Sequence, residues 1–299
     1  MPVAVEVLIE RLWPGRATSV TPLTNGITNA NYLVDLGEDR VVVRVPGKDT
    51  RLLGIDRRRE VEIGRLAAAV GVGPEVVAYD EASSCIVTRY ITARPISPEE
   101  LAAEPVLSAF VAALKRVHAA GEVPAVFDPY RVVRAYRDEA RARGVEAPFD
   151  LDAALALADR IEAARPFRTT VLGHNDLLNA NFLFDGTVRI VDWEYAGMTD
   201  PFFDLANVAV NNSFSVEAER ALLDLYVGRA DEALMATLHL MKVISELREA
   251  MWGVLQLAIS DLDVDFAQYA RDHAARIDEL TRAADLDALL ESAATVRDL

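Results

Sequence analysis

The sequence predicts an α+β chain with two lobes: a small β-rich lobe with one main helix, residues 1–92, and a larger, mostly helical lobe, residues 93–299. Three observations lead there. β-Branched runs with turn signals crowd the first ninety or so residues. From "SPEE" at residue 97 onward, alanine- and leucine-rich segments of helical period take over. One apolar stretch crowded with polar residues, "LGHNDLLNANFLFDGTVRIVDWEYAG" (172–197), interrupts the helices.

Taken in order, "NYLVDLG" and "RVVVRVPG" flank a Gly-Glu-Asp turn and form a hairpin. "IDRRREVEIGRLAAAV" follows as a helix with Ile63, Leu66, Ala67 and Val70 on one face. "GVGP" ends it, and "EVVAYDEASSCIVTRYI" supplies a second strand pair. "LSAFVAALKRVHAA" and "LDAALALADRIEAA" read as helices, and a long helix runs through "ALMATLHLMKVISELREAMWGVLQLAI". A ligand cleft between two such lobes is the usual expectation.

Composition narrows the function. Formal net charge is −16, from 47 acidic against 31 basic residues, with no polybasic block, so nucleic acid is not the expected partner. An acidic surface mildly favours a cationic small molecule, although such charge also serves solubility. The single cysteine, Cys85, rules out an internal disulfide and any multi-cysteine zinc site; its apolar run suits a small core residue. The start lacks the layout of a secretory signal, and no apolar stretch reaches the ~18 residues that span a bilayer. The expectation is a soluble cytoplasmic protein without membrane insertion, for which a homodimer is an allowed assembly.

The polar-rich stretch carries the chemistry. "NFLF" and "TVRIV" are strands joined by Asp185-Gly186, a strong hairpin signal. Asn181 precedes the first strand and Asp192 ends the second, so both side chains lie at the open end. An amide oxygen beside a carboxylate suits Mg²⁺ that keeps waters and takes phosphate oxygens. Asp176, five residues before Asn181, is placed to orient a hydroxyl and accept its proton. H-x-D-x-x-x-x-N followed by Asp at a strand end matches the catalytic and metal-binding loops of the protein-kinase-like fold. A satisfied buried polar network is the plainer explanation; the intervening hairpin favours the functional one.

The N-terminal lobe offers matching pieces. Arg44 interrupts a valine strand and needs a partner, and Glu60 projects from the helix on nearly the same face as Ile63 and Ala67. Alone, a structural salt bridge explains the pair equally well. With the loop motif, the pair reads as the holder of the nucleotide's α/β-phosphates. "TNGITNANYLV" adds a weaker phosphate-facing turn through Asn25, Gly26, Thr28 and Asn29, for which an ordinary hairpin turn is the alternative. In a kinase-like fold the backbone around Arg89, Tyr90 and Ile91 would meet adenine.

"HNDLLNANFL", "IVDWEYAGMTDPFFDLAN" and "GITNANYLV" resemble the choline/ethanolamine kinase branch of the aminoglycoside phosphotransferase superfamily, over about residues 20–280. The resemblance implies a bilobal protein-kinase-like fold and transfer of the γ-phosphoryl of ATP, with Mg²⁺, to the hydroxyl of a small amino alcohol. It implies Asp176 as catalytic base, Asn181 and Asp192 as Mg²⁺ ligands, and His174 and Asp204 as braces of the loop. Arginine at Arg44 is also typical of the branch.

A quaternary ammonium has no N–H and is held by aromatic faces and nearby carboxylates. By resemblance, Trp252, Phe266 and Tyr269 fall on the cage's aromatic positions, Glu194 and Glu249 are its carboxylates, and Tyr195 lies beside Glu194. Trp252 also suits plain core packing on a helix. Where the family usually has a second tryptophan this chain has Leu255, and "LANVAVNNSF" lacks aromatic and acidic residues that some members carry. The expected acceptor is choline, then ethanolamine. Alternatives are thiamine, hydroxylysine, a sugar or an aminoglycoside, the last drawing on "SDLDVD", or a non-catalytic nucleotide-binding pseudokinase. Survival of Asp176, Asn181 and Asp192 speaks against that last reading.

Overall fold

The computed structural model describes residues 3–23, 29–168, 171–282 and 284–296. In chain order, helix α1 (Val3–Leu12) leads into strands β1 (Ser19–Leu23), β2 (Asn29–Asp35) and β3 (Arg40–Pro46). Helix α2 (Arg57–Ala69) precedes β4 (Val76–Asp80), β5 (Cys85–Arg89) and β6 (Arg94–Pro95). Helices α3 (Pro98–Leu101), α4 (Val106–His118), α5 (Pro129–Ala142) and α6 (Leu151–Ala164) lead to β7 (Val171–Gly173). The hairpin β8 (Phe182–Phe184) and β9 (Val188–Ile190) is followed by β10 (Gly197–Thr199). Helices α7 (Pro201–Asn211), α8 (Val216–Val227), α9 (Glu232–Ile259), α10 (Phe266–Arg282) and α11 (Leu286–Ala293) complete the chain. The result is the expected α+β class.

The chain forms two compact units, one of Met1–Pro95 with Ala180–Glu194, the other of Ile96–Asn179 with Tyr195–Leu299. The expected division between residues 92 and 93 makes each lobe a continuous stretch, whereas here the chain returns to the first unit at 180–194. Backbone pairing explains the return: β8 pairs with β6, and the Ile190 N–H donates to the Val72 carbonyl.

The first unit is an antiparallel sheet in the order β1-β2-β3-β5-β4. The expected hairpin forms between β2 and β3, with Asp35 opposite Arg40; the Asp35 carboxylate accepts the Gly37 N–H, and the Leu36 N–H reaches the Asp39 carbonyl. Helix α1, which periodicity did not single out, packs Val5, Leu8 and Ile9 into one core with Val34, Val41, Val43, Cys85 and Val87. Cys85 is fully buried, as its apolar run implies, and burial pushes its thiol up, which makes it unreactive. Helix α2 starts at Asp56, whose carboxylate accepts the Arg58 and Arg59 N–H groups. Its inward face carries Val61, Ile63, Gly64 and Ala67 together with the polar Arg57 and Glu60; Leu66 and Val70 are half-buried.

The second unit centres on α9, a 28-residue helix buried on nearly every face from Leu234 to Gln256. Helices α5, α7, α10 and α11 surround it, which accounts for apolar residues beyond a single stripe. The close approach of α9 and α10 depends on Gly253, where an added Cβ would lie 2.9 Å from the Tyr269 ring and 3.3 Å from Ala270. β7 and β10 pair antiparallel, setting Gly173 opposite Gly197 just before His174. Among the described residues, no helix is long and apolar enough to cross a membrane.

Candidate active site

In the first unit, the β8–β9 hairpin closes as its Asp-Gly turn predicts: Asp185 accepts from the Thr187 backbone and hydroxyl. Its ladder runs one step past the strands, the Val191 N–H donating to the Asn181 carbonyl at 3.1 Å, so Asn181 and Asp192 do lie at the same open end. Asp192 adopts a left-handed backbone (φ 69°), tolerated best by Asp, Asn and Gly. Its carboxylate meets Arg44 at 2.6 Å, and Arg44 also holds Glu60 at 2.8 Å. Burial opposes the Arg44 charge, but Asp192 and Glu60 outweigh it and hold the guanidinium above its ordinary range.

A second arginine, not singled out in the sequence, completes the network. Arg57 pairs with Glu60 at 2.6 Å and Glu194 at 2.9 Å, and donates to the Asn29 amide oxygen at 2.6 Å. The i,i+3 spacing of Arg57 and Glu60 on α2 was the available signal. Asn29 in turn donates to Glu194 at 2.8 Å. Glu194, expected among the acceptor's carboxylates, is therefore taken up by Arg57 and Asn29, and Asn29 braces this network.

Two guanidinium groups face three carboxylates here, an excess of one negative charge. Glu194 registers it: burial and Asp192 push its carboxyl up to about 7, against the pull of Arg44 and Arg57. Among the described residues, no group of three or more His, Cys, Asp or Glu is arranged for a metal. The oxygen donors of Asn181 and Asp192 beside this excess charge nevertheless fit a hard divalent ion that keeps most of its waters.

Asn25, Gly26 and Thr28 lie outside the described residues. The Arg89 N–H donates to the Glu75 carbonyl and the Tyr90 N–H to the Arg40 carbonyl, so neither is open to a base; Ile91 is half-buried. The Arg89 side chain reaches Asp39 and Glu75, and Arg40 stacks over the Tyr90 ring at 4.6 Å.

The second unit builds the loop around Asp176. The Asp204 carboxylate accepts the His174 N–H at 2.8 Å and the Asn175 N–H at 2.7 Å, and meets His118 Nε2 at 3.0 Å. His174 Nδ1 accepts the Asp176 N–H, and Asn207 Oδ1 accepts the Leu177 N–H at 2.5 Å. Asn175 is fully buried and left-handed (φ 65°), its amide donating to the Tyr195 carbonyl at 3.1 Å. Gly173 admits this packing, since a Cβ there would stand 2.4 Å from Thr199 and 3.1 Å from Asp204. Asp176 itself meets Arg248 of α9 at 3.0 Å. Asn207 and Arg248 were not read from the sequence, because nothing local distinguishes them from ordinary helix residues.

The expected acceptor residues Tyr195, Glu249, Trp252, Phe266 and Tyr269 come together in this unit. The Trp252 ring meets Phe266 at 5.8 Å and Tyr269 at 5.4 Å, both edge-on, and its Nε1–H donates to the Tyr195 hydroxyl at 3.0 Å. The Tyr269 hydroxyl donates to Glu249 at 2.9 Å; burial and that carboxylate push its pKa well up, so it remains a donor. Leu255 is fully buried in the core. The acidic loop 261–265 is exposed.

The profile of the phosphotransferase enzyme family matches residues 19–242. The chain belongs to that family. The chain is 29% identical to Protein LicA of Haemophilus influenzae over 69% of its own length and 62% of the relative's. It is 26% identical to human Ethanolamine kinase 2 over 86% of the chain and 75% of the relative. The solved structure of a choline/ethanolamine kinase family protein from Mesorhizobium loti superposes with a TM-score of 0.80 at 29% identity, covering 97% of this chain and 98% of that one. The chain thus has the protein-kinase-like fold that the His174–Asp192 spacing predicted.

Proposed function

We propose that the protein transfers the γ-phosphoryl of ATP to the hydroxyl of a small cationic amino alcohol, choline in the first place. The observation that carries this reading is the aromatic cluster in which Trp252 meets Phe266, Tyr269 and the Tyr195 hydroxyl, with Tyr269 donating to the Glu249 carboxylate and Glu249 joined to Asp176 through Arg248. Aromatic faces beside one carboxylate are the chemistry that holds an alkylated ammonium.

Asp176, directed by Arg248 and by a loop whose N–H groups are tied to Asp204 and Asn207, orients the acceptor hydroxyl and takes its proton. Arg44, held by Glu60 and Asp192, places the nucleotide's phosphates. Asn181 and Asp192 would hold Mg²⁺, which neutralises phosphate charge when bound. Little covalent work falls to the protein, so positioning and charge carry the rate. Ethanolamine is a second reading with its own support: among the described residues, buried Glu249 Oε1 has no hydrogen-bond donor, and a primary ammonium would supply one.

An ADP-release assay against choline, ethanolamine, thiamine, hydroxylysine and aminoglycosides tests the assignment. Turnover is expected with choline or ethanolamine, and Asp176→Asn should lower kcat by about 10²–10⁴ while nucleotide affinity holds. Undiminished turnover in that variant rejects Asp176 as the base; signal only with a non-amino-alcohol rejects the acceptor.

A further inference from the structure

Arg248 is buried to within 1% of its surface and meets three acceptors through one nitrogen, Nη2: the Asn175 carbonyl at 2.8 Å, Asp176 Oδ1 at 3.0 Å and Glu249 Oε1 at 3.1 Å. A guanidinium terminal nitrogen carries two hydrogens. They serve Asn175 and Asp176, and Glu249 Oε1, though 3.1 Å away, receives none. Its link to Arg248 is therefore charge without a hydrogen bond. The guanidinium also lies 5.3 Å from the centre of the Tyr195 ring, the ring whose hydroxyl holds Trp252. One cation thus faces the base, the acceptor carboxylate and an aromatic wall of the same cluster.

We infer that Arg248 is a positioning residue that couples the charge of the bound acceptor to the placement of Asp176. The inference rests on the cationic amino-alcohol reading above. Arg248, Asp176 and Glu249 together carry one negative charge in excess. With no acceptor bound, the arginine's field is divided between two carboxylates. A cationic head group beside Glu249 supplies that carboxylate with its own counter-charge and leaves Arg248 to Asp176. An uncharged acceptor of the same shape leaves the arginine divided, so the base is held less firmly and the chemical step slows as well as binding. Lysine in this place would keep the charge on a flexible stem, without the rigid guanidinium that fixes Nη2 between the Asn175 carbonyl and Asp176.

The test compares choline with its uncharged carbon isostere, 3,3-dimethylbutan-1-ol, in the wild type, Arg248→Lys, Glu249→Gln and the double variant, each checked for a native melting transition and for ATP affinity. In the wild type, choline should exceed the isostere both in 1/KM and, by about tenfold or more, in kcat, each tenfold corresponding to about 1.4 kcal/mol. Arg248→Lys should remove most of the kcat preference while leaving a KM preference, which a purely structural role would not do. Glu249→Gln should remove the KM preference, and the double variant should lose less than the two single losses combined. An unchanged kcat ratio in Arg248→Lys, or additive losses in the double variant, overturns the coupling. No wild-type turnover of any cationic alcohol overturns the functional reading instead. If ethanolamine proves the better acceptor, it and propan-1-ol form the pair.

Discussion

Arg44 and Asp204 each gather several partners that are remote in sequence. Arg44 joins Glu60 from α2 to Asp192 from the end of the β9 hairpin, contacts separated by 16 and 148 residues. Both carboxylates are met through Nη1 while Nε–H donates to the Asn31 amide oxygen at 3.3 Å; lysine at this position keeps one charge on a flexible stem and loses the Asn31 contact. Arg44→Lys should raise the KM for ATP roughly tenfold, with a much smaller change in acceptor KM, read from steady-state kinetics with each substrate varied in turn. The neighbouring carboxylates do not all act alike. Glu60 and Asp192 meet Arg44, and Glu194 turns to Arg57 and Asn29; a carboxylate beside a catalytic stretch is as readily a brace as a ligand.

At the level of elements, hairpins and helix contacts set the site. The β8–β9 hairpin needed only its Asp-Gly turn and two apolar strands to be legible, and it delivers Asn181 and Asp192 to one end. The α9–α10 contact is different in kind: Tyr269 meets Glu249 and Trp252 because Gly253 lets two helices approach closely. Gly253→Ala should push Tyr269 off that contact, lowering stability by about 1–3 kcal/mol in urea unfolding. Acceptor KM should rise severalfold with the KM for ATP little changed.

For the whole molecule, acid stability reports on the polar core beneath the loop that carries Asp176. Burial opposes the charge on Asp204, but His118 and His174 outweigh it and hold the carboxyl below its ordinary 3.8. A carboxylate depressed on folding adds stability that is present above the unfolded value and is lost as pH falls through the folded one. The stability gap between the wild type and Asp204→Asn, measured by urea unfolding followed through tryptophan fluorescence, should be largest above about pH 5 and shrink below about pH 4. A gap independent of pH between 3 and 7 would contradict this role. The net charge of −16 belongs to the same scale, since a negative field would raise the local concentration of the cationic acceptor proposed above.

The sequence by itself determined the local devices. Hydrophobic period and turn chemistry marked the β2–β3 and β8–β9 hairpins, α2 and the long α9. The spacing from His174 to Asp192 marked a phosphotransfer loop, because hairpins and loop spacings are set by residues adjacent in the chain. Only the tertiary structure decided the partners of the charges. It gave Arg57 to Glu194, Arg248 to Asp176, and Asp204 to the N–H groups of His174 and Asn175. It also returned residues 180–194 to the first unit. Each of these is a pairing of buried groups distant in sequence. A buried charge must find some partner, but which one depends on helices and strands that only packing brings within 3 Å.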